Sequence, residues 1–151
     1  GNGGLGIQKI YFNKPNLNIF IKKYHKKFSH SPIIVQRFLK NFNKGDKRII
    51  LINGKIAGGV LRVPKTNSIK ANFHAGGMPV KTNITVKERL ICKKIKPFLI
   101  KNGLIFVGID VIDGYLTEIN ITSPTGIQEI NRLNNSKIEK DIIDFVFKSL
   151  Q

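Results

Sequence analysis

The 151-residue chain is long enough for one compact domain, or for one and a piece of another, and its 41% hydrophobic content is enough for a core. Its 26 basic against 9 acidic residues leave a net charge of +17, which fits either a nucleic-acid or phosphate partner or a drift in composition toward Lys, Asn and Ile; the even spread of lysines favours drift. A single cysteine, Cys92, excludes an internal disulfide and a Cys-based metal site and fits a reducing, cytoplasmic compartment, while the absence of a long apolar run or a signal peptide argues against a membrane helix or secretion.

The chain opens on Gly1-Asn2-Gly3-Gly4 with no initiator Met, which reads as the middle of a loop and leads us to expect a fragment. Residues 5–12 read as a strand. Residues 16–28 carry Ile19, Phe20, Tyr24 and Phe28 at roughly helical spacing. Pro32 precedes "IIVQRF", a second short strand. Residues 47–53 and 56–63 are strand-like runs joined at Asn53-Gly54, a strong hairpin pattern.

Residues 64–83, with Pro64, Gly76, Gly77 and Pro79, read as a long functional loop. Thr85 and Glu88 form a capping box opening a helix. Its expected buried stripe is Val86, Leu90, Ile91, Ile95 and Leu99, with a kink at Pro97 and a stop at Gly103. Residues 104–112 and 115–122 form a second hairpin. Thr125 with Gln128 and Ser136 with Glu139 predict two further capping boxes, each opening a helix. In the last helix Ile138, Ile142, Ile143 and Val146 are expected to be buried. The pattern is α+β: a mostly antiparallel sheet flanked by helices.

The second hairpin carries two scarce carboxylates. A two-residue turn at Asp113-Gly114 would pair Ile112 with Tyr115 and put Asp110 and Glu118 on opposite faces. A three-residue loop centred on Gly114 pairs Asp110 with Glu118 instead. That register sorts Val107, Ile109, Val111, Ile119 and Ile121 onto one face and Asp110, Glu118 and Asn120 onto the other, so it is preferred. Two carboxylates about 5 Å apart repel by about 3 kcal/mol at an effective dielectric near 20, against about 0.2–1 kcal/mol for a favourable cross-strand pair. A Lys, a shared proton or a divalent cation must offset this. The all-oxygen donor set suits Mg²⁺ or Mn²⁺, and with them nucleotide chemistry.

Other segments fit the same chemistry. The N-terminal "GNGGLG" offers unobstructed backbone N–H groups for phosphate, or is a flexible end. "SPTG" follows the acidic strand and opens a helix, where Ser123, Thr125 and free N–H groups suit an anion as well as ordinary capping. Arg is scarce beside Lys, and Arg48 and Arg62 sit on hairpin strands, as surface bases or as bidentate anion contacts. His25, His30 and His74 show no ligand spacing, and Cys92 reads as a buried helix residue.

These residues resemble the prokaryotic glutathione synthetases of the ATP-grasp superfamily from residue 1 to the end. The segments that carry the resemblance are "VQRFLKNFNKGDKRIILINGK", "LRVPKTNSIKANFHAGG" and "NGLIFVGIDVIDGYLTEINITSPTGIQEI". It implies the C-terminal half of an ATP-grasp fold, with residues 1–38 the remainder of the lid subdomain and 39–151 the C-terminal subdomain. It implies that Gly1, Asn2, Gly3 and Gly4 cover the ATP phosphates and that Gln36, Arg37, Phe38 and Leu39 hold the adenine. Asp46 becomes a further nucleotide contact and Arg48 a catalytic, ATP- and substrate-binding residue whose positive charge touches both phosphate and the substrate carboxylate. Asp110, Glu118 and Asn120 become the Mg²⁺ ligands. Arg62, Lys70, Gly76, Gly77, Ser123, Thr125 and Glu129 become substrate contacts.

The implied partners are ATP, gamma-glutamylcysteine and glycine, an absent N-terminal domain of the same enzyme, and further copies of the full-length chain. The implied reaction is ATP-dependent ligation through an acyl phosphate. Two features depart from the family pattern. Lys70 stands where an arginine is expected, keeping charge without the fork, and the lysine that precedes the glycine loop is missing. The rival readings are another ATP-grasp carboxylate–amine ligase, a basic RNA- or anion-binding module without catalysis, and a piece inactive in isolation.

Overall fold

The computed structural model describes residues 7–11, 17–29, 32–65 and 76–151, in two compact units, 1–39 and 40–151. Among the described residues of the first unit the one regular element is helix α1, Leu17–Lys27. Phe20, Tyr24 and Phe28 fall at i, i+4, i+8 and stack along one side, with ring centroids 6.0 and 4.5 Å apart. The two strands expected in this unit are not formed: residues 7–11 and 32–39 have no ladder partner. Ile34 and Val35 are largely exposed. β-branched residues favour a strand only where a neighbouring strand supplies the pleated surface.

The second unit begins with a short 3₁₀ helix, Lys40–Lys44, and continues into strands β1, Asp46–Ile52, and β2, Lys55–Val63. Asn53 and Gly54, both with positive φ, make the expected two-residue turn. The expected long loop holds strand β3, Met78–Lys81, paired to the end of β2 with Pro79 opposite Arg62. This is an edge strand, where a proline needs no ladder donor. Helix α2 runs Val86–Lys101, then β4, Phe106–Ile112, β5, Tyr115–Asn120, α3, Ile127–Asn134, and α4, Ile138–Ser149. The sheet is antiparallel throughout, in the order β3-β2-β1-β4-β5, the α+β architecture the sequence suggested.

One sheet face is covered by α2. There Ile49, Leu51, Val107, Ile109 and Val111 pack with Cys92 and Leu99. The stripe differs from expectation at its start, for Val86 and Leu90 are exposed, while Ile91, Ile95 and Leu99 face the core and Cys92 is buried as expected. Glu88 is buried at the start of the helix: its carboxylate accepts from the Thr85 amide in the capping box and pairs with the buried Lys47 ammonium at 2.8 Å. That pair pins the first turn of α2 with Glu88 facing the sheet. Pro97 sits inside α2, which continues to Lys101.

The other face packs Ile50, Ile52 and Val60 against Ile130 of α3 and Ile138 of α4. Neither expected capping box forms here. Gly126 precedes α3 without a side-chain cap. At α4, Asn131 accepts from the Ile138 amide at 3.0 Å and from the Ser136 hydroxyl at 3.1 Å, while its own amide donates to Glu139. Ile143 and Val146 are exposed, and Phe145 joins the core in their place.

Candidate functional site

Two one-residue irregularities in the sheet build the site. The β1–β2 register starts at Ile52 opposite Lys55 and Leu51 opposite Ile56. It then skips Ala57, so that Ile50 faces Gly58 and Asp46 faces Arg62. The β4–β5 register starts at Ile112 opposite Tyr115, skips Thr117 and puts Asp110 opposite Glu118 and Asn120 opposite Gly108. A slip of one residue turns a side chain to the other face. Without these bulges Arg62 and Glu118 would point away from Asp110. The expected Asp110–Glu118 pairing is therefore present, but through a two-residue turn and a bulge, not a three-residue loop. The Thr117 hydroxyl donates to the Asp110 carbonyl at 3.1 Å across the bulge.

Arg48 lies directly opposite Asp110 on β1 and β4. Its Nε donates to Asp110 Oδ1 at 2.5 Å and its Nη2 to Oδ2 at 3.0 Å, a fork-to-fork contact. Its Nη1 donates to the Thr125 carbonyl at 3.0 Å. Arg62, only 1% exposed, reaches Asp110 Oδ2 at 2.9 Å through Nη2 and pairs with Asp46 through the same nitrogen. In place of the Lys, shared proton or cation expected from the sequence, two guanidiniums stand at Asp110. Burial pushes the Asp46 carboxyl up to about 6, with the Arg62 guanidinium opposing the shift.

Glu118 is exposed and makes no ion pair among the described residues. Asn120 Nδ2 and Asp46 Oδ1 are buried with no hydrogen-bond partner. A half-turn of the Asn120 amide would present its oxygen in place of the orphaned nitrogen. No cluster of three His, Cys, Asp or Glu side chains occurs among the described residues. A cation here would rest on the Asp110 and Glu118 carboxylates and the Asn120 amide. These are three oxygen donors on one face of one strand pair, and the set fits a hard divalent ion.

The "SPTG" segment lies over the same strands. Pro124 is buried where β4 carries Gly108, and a Cβ at Gly108 would come within 2.6 Å of the Pro124 ring. Only glycine lets the loop sit this close. Ser123 and Thr125 are exposed and Glu129 is half-buried in the first turn of α3. Gly76 and Gly77 immediately precede β3. Gln36, Arg37 and Phe38 are exposed coil residues of the first unit and Leu39 is half-buried, with the Lys9 ammonium 4.2 Å from the Phe38 ring centroid. Gly1, Asn2, Gly3, Gly4 and Lys70 lie outside the described residues, as do His30 and His74.

The Asp46–Arg62 pairing was not anticipated from the sequence, where Asp46 was given a separate nucleotide role by resemblance alone. Counting back from Asn53-Gly54 without a bulge sets Asp46 against Leu61. The available hint was Gly58-Gly59 inside a strand, a pattern that marks bulges. On the opposite face a cavity of about 440 Å³ is lined by Lys44, Lys47, Lys87, Glu88 and the Asp113-Gly114 turn. No helix among the described residues is long and apolar enough to cross a membrane.

Residues 1–135 match the family described as prokaryotic glutathione synthetase, ATP-grasp domain. The chain is 47% identical over 138 residues to the glutathione synthetase of Mesorhizobium japonicum, covering 91% of this chain and 44% of that protein. It is 48% identical over 148 residues to that of a Nostoc species, covering 98% and 45%. It is 40% identical over 148 residues to that of Agrobacterium fabrum, covering 98% and 46%. The chain thus spans less than half the length of these curated relatives. With a match this extensive, over an antiparallel sheet that gathers arginines, carboxylates and a glycine-seated loop on one face, the chain belongs to the prokaryotic glutathione synthetase ATP-grasp family.

Proposed function

We propose that the chain carries the phosphoryl-transfer half of a glutathione synthetase site, which ligates gamma-glutamylcysteine to glycine at the expense of ATP. The observation that supports this best is the convergence of Arg48, Arg62, Asp46 and Asp110 beside Glu118 and Asn120 on one sheet face. Because the chain spans less than half of its relatives, the complete ligation is assigned to it in combination with the sequence those relatives carry beyond the match. Metal-dependent nucleotide binding is the activity expected of the chain alone.

In this reading the substrate carboxylate attacks the γ-phosphate to give an acyl phosphate, and the amine of glycine then displaces phosphate. Asp110, Glu118 and Asn120 would hold Mg²⁺ or Mn²⁺, which when bound offsets charge on the transferring phosphoryl group. Arg48 offers a planar fork to a phosphate or carboxylate oxygen pair. Arg62, locked between two carboxylates, holds Asp110 in place. The Ser123–Glu129 segment offers hydroxyls, a carboxylate and free backbone donors at the start of α3 to a peptide-like substrate. No side chain serves as a covalent nucleophile. The protein contributes positioning and preorganised charge.

Calorimetric titration with Mg·ADP tests this reading. The folded wild-type chain is expected to bind only with metal present, and Asp110→Asn combined with Glu118→Gln to lose that binding. Binding that survives the double substitution, or no binding by a folded chain, would refute it.

A further inference from the structure

Asp110, one of the two carboxylates proposed to hold the cation, is already taken. Three of its roughly four lone-pair positions accept from guanidinium donors, two from Arg48 and one from Arg62. A divalent ion approaching it would meet two fixed positive charges in a site that is 4% exposed at Asp110. The two arginines are not held alike. Arg62 is enclosed and has a second carboxylate, Asp46. Among the described residues Arg48 has only Asp110 and the neutral Thr125 carbonyl. Removing Arg48 from Asp110 would leave the carboxylate still paired; removing Arg62 would leave Asp46 without its cation. Glu118 stands across from Asp110 with no ion pair among the described residues, and the Asn120 amide is buried with a nitrogen that has no partner among them. Two of the three cation donors are thus open and the third is covered by a side chain whose fork also fits phosphate.

The geometry points to an exchange: Arg48 holds the place of the cation on Asp110, and a divalent cation and a polyphosphate enter as a pair, the cation taking Asp110 as Arg48 turns to the phosphate. This rests on the nucleotide-site reading above. Arg48 then couples the two ligands: each binds weakly alone, and each raises the affinity of the other by the same factor.

Titration of the full chain with Mn²⁺, followed by the electron paramagnetic resonance of the free ion, with and without ADP, tests this. Wild type is expected to bind Mn²⁺ weakly alone and much more tightly with ADP. Arg48→Met is expected to bind Mn²⁺ alone at least about tenfold more tightly than wild type, the size of one charge-assisted hydrogen bond lost. It should show a correspondingly smaller gain from ADP, and adding Asp110→Asn should abolish the increase. Arg48→Lys, which keeps the charge and loses the fork, is the second variant should Arg48→Met fail to give a cooperative melt; an intermediate gain is expected of it. Equal Mn²⁺ affinity in wild type and the Arg48 variants, with Mn·ADP binding still dependent on Asp110, would overturn the exchange and leave the site assignment standing. No dependence of Mn²⁺ or Mn·ADP binding on Asp110 would overturn both.

Discussion

Replacing Asp110 by asparagine would leave the Arg48 and Arg62 guanidiniums against a neutral amide in a site with little water. Breaking a buried ion pair from one side costs about 3–5 kcal/mol, mostly the uncompensated charge that remains. Asp110→Asn is therefore expected to lower the free energy of urea unfolding by about that much, beyond any effect on ligands. Asp46 gives a pH signature of its own. Its carboxyl is raised from 3.8 to about 6 because burial penalises the charged form. The folded chain holds this proton more tightly than the unfolded one. The stabilisation is therefore complete below pH 3.8 and is lost as the pH rises through about 6. Urea unfolding of wild type and Asp46→Asn across this window should show the gap between them shifting in that direction. A constant gap would contradict it.

At the scale of the element, the first turn of α2 separates two contributions carried by neighbouring residues. Thr85→Ala removes one side-chain acceptor from a partly exposed cap, expected to cost about 1 kcal/mol. Glu88→Gln keeps a capping amide but leaves the Lys47 ammonium, which is 8% exposed, with the neutral Asn83 carbonyl at 2.8 Å and without its carboxylate, and is expected to cost about 3–5 kcal/mol. Thermal or urea melts of the two variants check the order. Equal losses would mean that the cap, not the ion pair, fixes the rotation of α2. On the same helix, burial pushes the Cys92 thiol up to about 11, consistent with its place in the core under the sheet.

For the whole molecule, a net charge of +17 repels itself in any compact state. The acidic residues are too few to screen it, and three of the nine, Asp46, Glu88 and Asp110, are spent inside on buried or nearly buried pairs. Raising the ionic strength from about 10 mM to about 150 mM shortens the Debye length from about 30 to about 8 Å. The melting temperature should rise over that range, as charge repulsion relaxes faster than the buried pairs weaken. A fall would place the dominant electrostatics in exposed ion pairs.

Local sequence determined the Asn53-Gly54 turn, the start of α2 and the sheet alternation. Asn53-Gly54 dictates a hairpin because positive φ at two successive positions leaves few residue choices, and Thr85-Glu88 dictates a helix start by satisfying its own backbone donors. At Asp113-Gly114 the hairpin was legible but its two-residue turn was not, because sorting apolar from charged residues without a bulge favours a three-residue loop. The Asp110–Glu118 pairing was also legible, since only one register sorts apolar from charged residues. What local sequence could not decide was which residues meet across strands and at helix faces. The described residues of the strands expected in the first unit, 7–11 and 32–39, have no ladder partner. The bulges at Ala57 and Thr117 put Arg62 and Glu118 on the same sheet face as Arg48 and Asp110, which stand opposite one another on β1 and β4. The Asp46–Arg62–Asp110–Arg48 chain joins three strands through charges whose burial is tolerable only when all are paired. That condition is met by the assembled sheet, not by any one segment.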